Sequence, residues 1–155
     1  MKFYFKKILL IIFFISSQSY LFAASEMHEP LSLDWSFAGP LGKFDRAALQ
    51  RGYQVYSEVC SGCHSMDLLS YRNLTDEGGP EFSEGQAKAM AAMFEVEAGP
   101  DQDGEMFSRA AILSDKFASP WQNEEQGRAS NGGAYPPDLS VIVKARPGGA
   151  DYIYS

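Results

Sequence analysis

The chain has 155 residues, enough for one domain, with 13 Lys+Arg against 20 Asp+Glu and a formal net charge of -7. That acidic balance excludes unaided nucleic-acid binding and favours encounter with a basic protein. Both cysteines fall in one five-residue run, so any cysteine chemistry is confined to a single place.

The first 24 residues read as a secretory signal peptide rather than as fold. Lys2, Lys6 and Lys7 make a basic start, Ile8 to Ile15 is an unbroken apolar run, and Leu21-Phe22-Ala23-Ala24 offers cleavage after Ala23 or Ala24. Eight strongly apolar residues, or fifteen with the weaker flank, fall short of the ~20 that a spanning helix needs. A mitochondrial transit peptide fits less well, because the segment has no Arg and is too apolar. Loss of the three lysines leaves 10 basic against 20 acidic side chains, a balance of -10 for residues 25–155.

Residues 25–41 read as an extended arm carrying Pro30, Trp35, Phe37 and Pro40, and Pro/Gly punctuation at 39–42 keeps a helix from starting before Lys43. Asp45 is the expected N-cap. Behind it Leu49, Tyr53, Tyr56 and Cys60 recur on one helical face, which delivers the chain into Cys60-Ser61-Gly62-Cys63-His64. Residues 75–83 are polar and rich in Gly and Pro, hence a loop. Ser83 with Gln86 forms a capping-box pattern, and Ala87, Met90, Ala91 and Phe94 supply an apolar stripe for a helix that must end before Gly99-Pro100. From there to Leu139 the pattern gives turns and short helical pieces with little strand character. Asp138 is expected to cap a short helix from Leu139 to Ala145, stopped by Pro147-Gly148-Gly149. Asp151 to Ser155 reads as the opening of one more helix.

Two cysteines separated by two residues can each form a thioether to one haem vinyl group, and the adjacent histidine then lies beneath the iron. Cys-x-x-Cys-His is therefore a c-type haem-attachment pattern, with Cys60 and Cys63 as anchors and His64 as axial ligand. The competing readings are weaker. A thioredoxin-like pair should sit near a βαβ pattern, which is absent. A zinc site needs two further ligands, yet no third Cys exists and the other His is His28, in the arm beside Glu26, Met27 and Glu29. A structural disulfide leaves His64 without a purpose.

Methionine as sixth ligand would raise the reduction potential. Met66 is too close to His64 to reach the opposite haem face. Met90 lies on the apolar stripe and Met93 within the same helix. Met106 is the least poor candidate, and none of the four is convincing. Residues 76–105 carry nine acids against Lys88 alone, a solvated acidic run that could collectively steer a basic protein. Asp101-Gln102-Asp103-Gly104 lacks the further acidic ligands of a calcium loop.

The wording around the site resembles the cytochrome c1 family, the haem subunit of the quinol–cytochrome-c reductase (bc1) complex. The resemblance is carried by Gly52 to Tyr56, Val59 to Asp67, Tyr71-Arg72, Gly99-Pro100-Asp101, Asp103 to Phe107, Asn131 with Gly133-Ala134, Pro136 to Ser140, and Ala145-Arg146 with Gly148-Gly149. It covers residues 31–155. It implies a mostly α, cytochrome c-like haem domain with long loops and one covalent haem c. Asn131, Pro136, Pro137, Arg146 and Tyr152 would line the haem pocket, with Arg146 near a propionate, where a guanidinium can form a charge-assisted bond. Read without the resemblance, Asn131, Pro136 and Pro137 are turn formers and Arg146 a surface charge. The resemblance also implies that the axial Met, the last helix and a C-terminal membrane anchor lie beyond Ser155, so that the domain is expected to be incomplete here.

The function so implied is one-electron transfer from a Rieske iron–sulfur protein to a cytochrome c, beside cytochrome b, at the periplasmic face of a bacterial inner membrane. The chain would be an electron-transfer subunit and not an enzyme on its own. Another exported c-type cytochrome, or a haem-free exported dithiol protein, stays open as an alternative.

Overall fold

Residues 30–155 are described in a computed structural model; the segment read as a signal peptide and His28 lie outside the described residues. Among the described residues there are five α-helices, two short 3-10 turns and a single two-stranded ribbon, so the domain is mostly helical with long loops.

Helix α1 (Arg46–Glu58) begins where the sequence places it. Asp45 holds an extended backbone, and its Oδ1 accepts from the N–H groups of Ala47 at 2.9 Å and Ala48 at 3.3 Å. The helix does not run unbroken into the cysteines as the periodicity suggests. It ends at Glu58; Val59 leaves helical geometry, and Cys60–Gly62 tightens into a 3-10 turn. Helix α2 (Glu84–Ala91) shows the expected capping box. The Ser83 N–H donates to Gln86 Oε1 at 2.9 Å while the Gln86 N–H donates to Ser83 Oγ at 3.3 Å.

Strands β1 (Glu95–Ala98) and β2 (Phe107–Ala110) pair antiparallel, Glu95 opposite Ala110 and Ala98 opposite Phe107. The stretch after Gly99-Pro100 thus holds only the four residues of β2, in keeping with the expected lack of strand character, whereas the apolar stripe does not stay helical to Phe94: α2 ends at Ala91 and β1 begins at Glu95. Each strand is four residues long and largely solvent-facing, so neither carries a hydrophobic pattern strong enough to stand out, and only their mutual pairing defines them. Helix α3 (Glu124–Ser130) starts on Asn123, whose side chain accepts from the Gln126 N–H. Helix α4 (Ile142–Ala145) is shorter than expected, and Asp138 does not cap it. Helix α5 (Ala150–Tyr154) follows at once, as the closing residues suggest.

The core is aromatic. Tyr71, 1% exposed, packs on Phe117 with ring centroids 4.8 Å apart, and Tyr56 stacks on the same Phe117 at 5.8 Å. Ala87 and Ala91 of α2 are fully buried against this cluster, their small side chains letting the helix approach closely. Met66 and Met90 pack at its edge, whereas Met93 is 80% exposed. Cys60 is also half-buried against it. Burial raises the phenol of Tyr53, which packs against this core, to about 12 and pushes Tyr56 and Tyr71 within it up as well.

Candidate functional site

The haem-attachment run sits where α1 gives way to a loop, and its backbone is fixed by its own turn, by the end of α1 and by Trp121. Within the run, the Cys60 carbonyl accepts from both the Cys63 N–H at 3.1 Å and the His64 N–H at 2.8 Å, which curls the five residues into one tight turn. Ser61 Oγ donates back to the Ser57 carbonyl at 2.8 Å, fastening the turn to the helix end. From far along the chain, Trp121 Nε1 donates to the Cys63 carbonyl at 3.0 Å. The Tyr56 hydroxyl reaches the His64 carbonyl at 3.4 Å. Both thiols are free, Cys60 half-buried and Cys63 exposed.

The decisive contact is on the imidazole. His64 Nδ1 lies 2.8 Å from the Pro137 carbonyl oxygen. A carbonyl can only accept, so Nδ1 must carry the ring proton, and the neutral ring then leaves the Nε2 lone pair free. Metal-bound histidines are commonly oriented in this way, the second ring nitrogen donating to a fixed acceptor. Two free thiols on one turn beside a histidine with an available Nε2 form a donor set that fits a c-type haem.

Asp138 carries much of the loop that supplies this acceptor. Its Oδ2 accepts from Ser65 Oγ and from the Asp67 N–H, both at 2.8 Å, and its Oδ1 from the Ser140 N–H at 2.8 Å. Burial pushes the Asp138 carboxyl upward, but the donors from Ser140, Asp67 and Ser65 outweigh it and hold the group below its usual range. The Leu139 N–H adds a bond to the Ser65 carbonyl at 2.9 Å, and Ser140 Oγ accepts from the Leu68 N–H at 3.1 Å. Upstream, the same loop leaves α3 through Gly132 and Gly133, both at positive φ, and Tyr135 lies across the bare Cα of Gly127.

The remaining expected pocket residues divide into three groups. Pro137 is brought to His64 through its carbonyl. Arg146 and Tyr152 are brought to each other, the guanidinium carbon 5.9 Å from the ring centroid. Asn131 spends its side chain on the α3 end, Nδ2 donating to the Gly127 carbonyl at 2.7 Å, and Pro136 is half-buried in the loop. Trp121 and Ser65 were not legible as site residues, because their roles arise from hydrogen bonds spanning 58 and 73 positions. Two cavities, of about 750 and 560 Å³, open elsewhere, and Cys60, Cys63 and His64 line neither of them.

Comparison with known proteins bears directly on this geometry. The model of the Cytochrome C1 family matches residues 35–155. The chain belongs to the cytochrome c1 family. It is 52% identical over 124 residues to "Cytochrome c1-2, heme protein, mitochondrial" of Solanum tuberosum, covering 80% of this chain and 46% of that one. It is 52% identical over 122 residues to cytochrome c1 of Rhodospirillum rubrum, covering 79% of this chain and 44% of the relative. Against cytochrome b/c1 of Bradyrhizobium diazoefficiens it is 50% identical over 124 residues, covering 80% of this chain and 18% of the relative. The chain thus spans less than half the length of these relatives. Cytochrome c1 proteins carry a covalent haem c, and the Cys60–Cys63 spacing is the one that attachment requires. No described helix is long and apolar enough to cross a membrane.

Proposed function

We propose that this chain forms the haem-attachment part of a cytochrome c1 and relays single electrons within a bc1-type complex, from a Rieske iron–sulfur protein to a cytochrome c. Cytochrome b would be its membrane neighbour, and the periplasmic face of a bacterial inner membrane its place. The observation that carries the reading is the imidazole of the Cys-x-x-Cys-His run, held by Pro137 so that Nε2 is free.

When bound, the haem supplies a reversible one-electron Fe(III)/Fe(II) couple. The protein's own residues do the rest. Cys60 and Cys63 would anchor the ring at the end of α1, His64 Nε2 would hold the iron, and Pro136 and Pro137 would give a stiff wall that limits water. The Arg146 charge would favour the reduced iron, which is the less positive state, and could pair with a propionate. The relay needs no bond-making on a substrate, so the chain's share of quinol oxidation is electron transfer alone. Engagement of a basic acceptor would draw on the acidic run at 76–105, several members of which are already occupied locally: Glu81 pairs with Arg46, Glu84 with Lys88, and Asp101 folds its own hairpin loop.

The test is haem retention. The protein, matured in a host that exports and attaches haem, should keep its visible haem bands through denaturation and acid–acetone extraction. Cys60→Ala with Cys63→Ala should release the pigment, and His64→Ala should leave it without a low-spin spectrum. Extractable haem in the unaltered protein, or a redox-active Cys60–Cys63 disulfide in its place, would overturn the reading.

A further inference from the structure

The Pro137 carbonyl faces a mechanical problem. Pro136 and Pro137 have no N–H, so the stretch that must hold an acceptor against His64 cannot be anchored by its own backbone donors. Its hold comes from the three residues that follow, Asp138 making the most bonds across the site and Leu139 and Ser140 one each. Asp138 Oδ2 reaches across the site to Ser65 Oγ and the Asp67 N–H, both at 2.8 Å, one and three residues beyond His64. Ser65 is 3% exposed, so this bond is shielded from competing water. If Asp138 served merely to shape its own turn, its Oδ1 bond to the Ser140 N–H would suffice. Instead the second carboxylate oxygen is committed to the other side of the site.

We propose that Asp138 is a positioning residue for the axial histidine: through Ser65 and Asp67 it fixes the Pro137 carbonyl at hydrogen-bonding distance from His64 Nδ1. The inference rests on the haem reading above. A firmly held Nδ1–H···O bond makes the imidazole a stronger donor to iron, which favours the oxidised state and lowers the potential. Slackening the tether should therefore raise it.

Two variants separate tether from charge. Asp138→Asn removes a negative charge and weakens the acceptor for Ser65 and Asp67. Ser65→Ala keeps the charge and deletes one tether bond. Redox titration of the haem-loaded full gene product in membranes is expected to show both potentials raised. For Asp138→Asn the shift should correspond to about a tenfold change in the one-electron equilibrium, or about 59 mV. Ser65→Ala should shift in the same direction by less. A rise in Asp138→Asn with none in Ser65→Ala would show that charge alone acts and would overturn the proposal, as would two unmoved potentials. Should Asp138→Asn fail to accumulate, the sign of the Ser65→Ala shift decides. Absence of covalent haem from the unaltered protein would refute the haem reading itself, and this inference with it.

Discussion

Single residues in this domain do their work through unusually close approaches. A Cβ at Gly127 would lie 2.6 Å from Tyr135 Cε2 and 2.7 Å from its Cδ2, and a rigid ring held in a loop has little room to yield. Gly127→Ala should cost about 1–3 kcal/mol, the range for overpacking, and should be read by chemical denaturation. An unchanged midpoint would mean the loop shifts freely. The Arg109–Asp115 pair is a second case. The Arg109 guanidinium hydrogen-bonds both Asp115 oxygens, and together with the Ile112 N–H it holds that carboxyl below its usual value. A depressed folded value means that the stabilisation is fully present above the ordinary carboxylate pKa of about 3.9 and disappears as pH falls through the folded value. The stability gap between the parent and Asp115→Asn should therefore be constant from neutral pH down to that point and close below it. A gap that persists in stronger acid would contradict the assignment.

Secondary-structure elements here owe their ends to side chains more than to periodicity. Asp45 satisfies two orphan N–H groups at the start of α1, and this helix aims the attachment turn. Asp45→Ala is expected to cost about 1 kcal/mol, seen as a lower denaturation midpoint with the haem spectrum unaltered, since the cap lies at the helix end remote from Cys60. The capping box of α2 was fully legible, because both partners lie within one turn of each other. Asp138 shows the opposite outcome. Its position before a helical pattern suggests a cap, but the carboxylate goes to Ser65 and Asp67, 73 and 71 positions away. Oδ1 keeps a local bond to the Ser140 N–H, but a local rule cannot foresee the long-range partners that take Oδ2. The β1–β2 ribbon leaves little local pattern for a related reason, each four-residue strand being defined by a partner outside its own window.

Across the whole molecule, the core and the site share parts. Phe117 meets Tyr53, Tyr56 and Tyr71, and Tyr56 lies on the helix that leads into Cys60. Phe117→Ala should cost about 3–5 kcal/mol and should also reduce the yield of haem-loaded protein, because the cluster that half-buries Cys60 loses its centre. Normal haem loading in a strongly destabilised variant would show that core and attachment turn are independent. The two ends of the described chain are likewise joined: Trp35 Nε1 and the Leu33 N–H both donate to Asp151 Oδ1, at 2.7 and 3.1 Å, and Trp35 meets the edge of Tyr154 at 5.9 Å. That clasp steadies α5, the helix that carries Tyr152 beside Arg146.

The gathering of Cys60, Cys63 and His64 on one turn was readable in the sequence, because their spacing alone delivers two thiols and an imidazole there. The mostly helical class and the starts of α1 and α2 were readable too, being set by contacts within a few residues. Tertiary structure alone decided which imidazole nitrogen is free, since Pro137 lies 73 positions from the ring it orients. It alone revealed Trp121, Ser65 and Asp138 as the frame around that ring. Hydrogen bonds between distant segments leave no periodic trace in a sequence, and at this site they determine how the His64 ring is presented.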